Sequence, residues 1–108
     1  MSLQSLVLTI ISDITDPATR MDISSTIFFL RDLYFSGRIS QEELRKELTS
    51  VVDTVFKAVH PEWLPDERKA KVKEIVDQLV RAITLSAVKT HLFSKFSGQP
   101  REELGQPF

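Results

Sequence analysis

The chain has 108 residues, 42% of them hydrophobic and 27% charged, which is the composition of one globular domain. Fourteen Lys and Arg against fifteen Asp and Glu leave a net charge of −1, excluding a basic coat of the histone kind and an acidic solvating tail. The absence of cysteine excludes disulfide frameworks, Cys-based zinc sites and thiol nucleophiles.

The amino end, MSLQSLVLTIISDITDP, has no basic residue before its apolar run and no small-residue cleavage site, so no secretory signal is expected. Apolar stretches fall short of the ~20 residues that span a bilayer. A cytoplasmic protein is the resulting expectation. Asparagine is missing along with cysteine, as in many hyperthermophile proteins, and a thermophilic source is one reading of that. Leu3, Leu6, Val7, Ile10, Ile11 and Ile14 follow a helical period and predict a helix over 2–14. Its β-branched residues are poor helix formers, so packing must hold it.

Asp16-Pro17 punctuates the chain, with Asp16 as cap and Pro17 at the first helical position. The second helix is predicted over 17–36 and stops at Gly37. Ile23, Ile27, Leu30 and Tyr34 form its stripe, while Phe28, Phe29 and Phe35 fall outside it. A helix apolar nearly all round is expected to be buried on more than one side.

Ser40 with Glu43 is a capping box, and Ile39 with Leu44 takes the positions of a hydrophobic staple. The third helix, 41–60, carries Leu44, Leu48, Val51, Val52, Val55 and Val59 on one face. The short link after Gly37 favours antiparallel neighbours. Leu30, Leu33, Gly37, Ile39, Ser40, Glu42, Glu43 and Leu44 together resemble the helix–Gly–helix pattern of short bacterial C-terminal oligomerisation modules. A glycine stop before a capping box writes the same letters in any helical hairpin, so no family is assigned.

Pro61 and Pro65 break the chain again, leaving Trp63 in a loop. The fourth helix, 65–96, has no internal Gly or Pro and would be roughly 45 Å long. A compact chain of this size is roughly 34 Å across. Val72, Val76, Leu79, Ile83 and Ala87 lie on one side of it, and Leu85, Val88, Leu92 and Phe96 lie nearly opposite. Either the helix bends near Thr84–Ser86 and both flanks meet one core, or its distal half meets a second chain. Residues 98–108, with two Gly and two Pro, read as a flexible tail.

Chemistry is sparse. His60 adjoins a helix-breaking proline and His91 lies thirty residues on; neither has Asp or Glu three or four residues away. His60 reads as a helix-end residue facing the negative end of the dipole, and neither histidine as a catalytic base. Asp13, Asp16 and Asp22 cluster without a metal-ligand spacing, and the glycines build no phosphate loop. The first helix lacks the Lys and Arg of a membrane-surface helix. No cofactor, metal, membrane or small-molecule substrate is therefore expected.

Charge is unevenly spread: residues 1–37 hold four Asp and two Arg, whereas residues 65–96 hold seven basic and four acidic side chains. The expectation is an all-α, four-helix bundle-like domain over 1–97 acting as a non-enzymatic protein–protein interaction module. A homodimer or a subunit of a larger assembly would use Phe28, Phe29, Phe35, Leu85, Val88, Leu92 and Phe96, with Trp63 adding apolar surface. The rival is a small nucleic-acid-binding regulator whose Arg68, Lys69, Lys71 and Lys73 meet phosphates.

Overall fold

The computed structural model describes the backbone of residues 2–97 and the side chains of residues 2–86. The expected tail, 98–108, and the side chains of Val88, His91, Leu92 and Phe96 lie outside the described residues. Within them the chain is all-α: α1 (Leu3–Ile11), α2 (Pro17–Phe35), α3 (Gln41–Val59) and α4 (Pro65–Ser97), with no strand among the described residues. The molecule measures 52 × 26 × 23 Å.

Each helix start follows from its capping residue. Ser2 accepts from the Ser5 N–H, and Asp16 from the Thr19 N–H, with Pro17 at the first position where no donor is needed. The capping box of α3 is complete: the Glu43 N–H donates to Ser40 Oγ at 3.1 Å, and the Ser40 N–H to Glu43 Oε1 at 2.9 Å. α2 stops in a Schellman turn. The Gly37 N–H reaches the Tyr34 carbonyl at 3.1 Å and the Arg38 N–H reaches Leu33 at 2.9 Å. Gly37 sits there at φ +76°, a conformation that side chains resist.

α1 is shorter than predicted. It ends at Ile11, because Ser12 turns its hydroxyl onto the Thr9 carbonyl and the Ile14 N–H bonds to Ile11. Ile14 still falls back onto the core. The apolar period tracked burial correctly and overran the backbone.

Consecutive helices pack on one another, α1 also packs on α4 and α3, and the α3–α4 contact is the most extensive. Ion pairs joining Arg45 to Asp77 and Asp53 to Arg68 make α3 and α4 antiparallel, with Gln41 level with about Arg81. Leu6 and Ile10, Ile27, Leu44, Leu48 and Val52, and Val76, Leu79 and Ile83 meet in one apolar core, which holds no buried polar residue among the described residues.

α2 departs from expectation. It buries only Ile27 and Leu30, with Ile23, Phe28, Leu33 and Tyr34 half-covered, so one side faces the core rather than several. Among the described residues α2 packs chiefly on α1 and α3. Phe29 and Phe35 consequently remain exposed.

Candidate functional site

Three surface features and one side-chain cluster carry the residues with chemistry. A groove of about 560 Å³ runs between α3 and α4, lined on one side by Arg45, Lys46, Thr49, Ser50 and Asp53. On the other it meets Pro65, Asp66, Arg68, Lys69 and Lys73, with Val72 and Val76 beneath. Of the four basic candidates, Arg68, Lys69 and Lys73 share this groove. Lys71 points elsewhere, its Nζ 4.9 Å from the centre of the Trp63 ring.

Two of those three cations are already paired. Arg68 Nε donates to Asp53 Oδ1 at 2.9 Å and Lys73 Nζ to Asp77 Oδ2 at 3.2 Å. Arg45 also donates to Asp77, and these two donors hold its carboxyl below the usual carboxylate range, Arg45 being the larger cause. Lys46 and Lys69 make no ion pair among the described residues. Arg45 and Lys46 were not legible as site residues, because only the register between α3 and α4 brings them to this groove.

The junction of α3 and α4 gathers His60, Trp63, Phe56 and Asp13. His60 caps α3, its N–H bonded to the Phe56 carbonyl at 2.8 Å. Its Nε2 lies 3.2 Å from Asp13 and its Nδ1 3.2 Å from Glu62. The protonated ring donates to both carboxylates and the neutral ring to one. With both nitrogens so engaged, neither faces a nucleophile, and among the described residues no group of three His, Asp or Glu is placed to hold a metal ion. Trp63 stacks on His60 and lies nearly perpendicular to Phe56. Trp63 thus packs within its own chain rather than forming the outward apolar surface expected of it.

Apolar side chains stand exposed on two other faces. Beside α1 and α2, Leu8 is 61% exposed, Met21 71%, Phe29 59% and Phe35 40%. A groove of about 280 Å³ there is lined by Leu8, Ile11, Ser24 and Phe28. Arg31 overlies the rings of Phe28 and Phe35, at 5.0 and 5.7 Å. On α4, Leu85 is 58% exposed and edges a groove of about 270 Å³ with Leu6, Gln78, Arg81 and Ala82. The expected interface set is therefore divided: Phe28, Phe29 and Phe35 on α2, Leu85 on α4, and α1 in contact with both helices. Leu8 and Met21 were missed, although each lies off its helix's buried stripe by the 100° rule.

No protein-family model matches the chain, and neither the curated proteins nor the solved structures contain a match to it. No helix among the described residues is long and apolar enough to cross a membrane.

Proposed function

We propose that the chain is a non-enzymatic helical interaction module, an antiparallel four-helix bundle that associates with a second copy of itself along its long last helix. The observation that carries this reading is the contrast between Ile83, fully buried, and Leu85, 58% exposed on the far flank of the same helix. The apolar flank continues in sequence as Val88, Leu92 and Phe96. α4 runs to Ser97 while α3 begins level with about Arg81, so the last turns of α4 extend past the start of α3. At roughly 25 cal/mol per Å² of apolar area removed from water, a modest patch supplies several kcal/mol before association costs. A cytoplasmic, cofactor-free role belongs to the same reading.

Sedimentation at micromolar concentration tests it. The wild type is expected as a dimer and Leu92→Asp as a monomer of unchanged helicity; an unaltered mass removes the idea. The second reading, nucleic-acid binding, is favoured by Arg68, Lys69 and Lys73 sharing one groove. An electrophoretic shift that weakens steeply between two salt concentrations would establish it.

A further inference from the structure

The groove between α3 and α4 and the outward face of α2 have complementary chemistry. The groove has Val72 and Val76, 3% and 1% exposed, beneath it, and its rim is cationic on balance: Lys46, Lys69 and Asp66 are exposed there and make no ion pair among the described residues. Lysine stems add apolar wall while their ammonium groups stay in water. By the α3–α4 register, Lys69 lies level with about Val52, so Lys46 and Lys69 stand about 9 Å apart along the groove.

The outward face of α2 has the opposite character. Ala18, Met21, Asp22, Ser25, Phe29 and Asp32 follow the i, i+3, i+4, i+7 series on the side turned from Ile27, and all six are exposed. Its charges are the two carboxylates, of which Asp32 pairs with Arg31 and Asp22 has no ion partner among the described residues. Met21 and Phe29 are large apolar anchors two turns apart, and Ala18 and Ser25 allow a close helix approach. This is the pattern by which a helix is laid into a groove.

We infer that α2 of one copy docks into the α3–α4 groove of another, Met21 and Phe29 laid along the line of Val72 and Val76, with Asp22 and Asp32 toward the Lys69 and Lys46 rim. The inference rests on the self-association reading above and names a separate surface for it. Two different faces meet, so the contact is head-to-tail and adds copies beyond two unless its rotation closes a ring. An isologous pairing along α4 stops at two. Contact between these carboxylates and ammonium groups also weakens as salt rises, which burial of Leu85 and Leu92 does not.

The test uses the full chain in three forms: wild type, Phe29→Asp, and the double variant Lys46→Glu/Lys69→Glu. All the substitutions are at exposed positions, and circular dichroism checks that helicity is retained. By sedimentation, wild-type mass should rise past the dimer with concentration and fall with salt. Each variant alone should grow past the dimer at least about tenfold more weakly. Mixed at equal concentration, the two should reach a greater mass than either alone, since each keeps the face the other has lost. The inference is overturned if both variants sediment as the wild type does, or if the mixture behaves as the sum of its parts. Loss of the dimer in Leu92→Asp, with both variants unaffected, leaves the α4 reading standing and removes this one. A wild type that is monomeric throughout removes both.

Discussion

The imidazole of His60 lies flat on the indole of Trp63, ring centres 4.0 Å apart and planes 14° from parallel. Phe56 meets both rings edge-on, at 6.1 and 5.5 Å, and the Lys71 ammonium lies 4.9 Å from the indole centre. Asp13, just beyond α1, reaches the same imidazole. The turn between α3 and α4 is thereby fastened to the end of α1. Trp63→Ala removes the stacked pair, the edge contact and the cation over the ring. Because Trp63 is only half-buried, the expected loss is about 2–3 kcal/mol, below that of a fully buried aromatic. Urea unfolding followed by far-ultraviolet dichroism reads it, and Trp63→Phe should recover part. A change within about 0.5 kcal/mol, the range of ordinary surface substitutions, would show that the cluster holds nothing.

At Gly37 the structure separates backbone strain from crowding. The residue has φ +76°, and a Cβ added there meets nothing within 4 Å. Gly37→Ala therefore costs only the left-handed conformation, about 1–2 kcal/mol. Gly37→Asn, whose short amide tolerates that region, should cost less. Thermal unfolding of the two variants checks the order, with about 4–8 °C expected per kcal/mol in a domain of this size. Equal losses would mean that the Schellman turn is replaced rather than strained.

The helix starts were legible because each is written in adjacent residues: Asp16 with Pro17, Ser40 with Glu43, and Pro65. Ends were less so. Ile14 continues the stripe of α1 after the backbone has left the helix, since period reports which side chains are buried and not which carbonyls are bonded. Phe29 and Phe35 looked too apolar to be left in water, yet the number of neighbours a helix receives is a property of the whole packing. The basic residues of α4 were legible individually. Their division, with Lys69 and Lys73 in the groove and Lys71 on Trp63, depends on helix rotation and on a turn with two prolines. The pairing of His60 with Asp13 joins distant parts of the chain, and no local pattern announces it.

Acid should weaken the fold through a few identifiable carboxylates. Asp77 is held low by Arg45 and then Lys73, Glu43 by the Ser40 N–H and then its hydroxyl, and Asp16 by the Thr19 hydroxyl and then its N–H. A carboxyl whose folded-state value lies below its unfolded one adds stability above the unfolded value and forfeits it as pH falls through the folded one. The urea midpoint should therefore be nearly flat from neutral pH downward and decline below about pH 4. In Asp77→Asn the neutral-pH midpoint should be lower and the acid decline shallower. Parallel curves for the variant and the wild type would show that its ion pairs to Arg45 and Lys73 add nothing to the fold.

Ile83 and Leu85 lie two residues apart on α4 and test the two flanks separately. Ile83 is fully buried and Leu85 is 58% exposed. Ile83→Ala leaves a cavity in the core and should cost about 2–5 kcal/mol at any protein concentration. Leu85→Ala should be within about 0.5 kcal/mol in dilute solution, because its side chain already stands in water. If Leu85 is covered in a dimer, wild-type stability rises with protein concentration, since association draws on the folded state alone. The Leu85→Ala curve should then fall progressively below the wild type as concentration increases, while Ile83→Ala keeps a constant offset. Unfolding midpoints across a hundredfold range of concentration decide the matter. A Leu85→Ala difference that stays constant over that range would place Leu85 outside any interface.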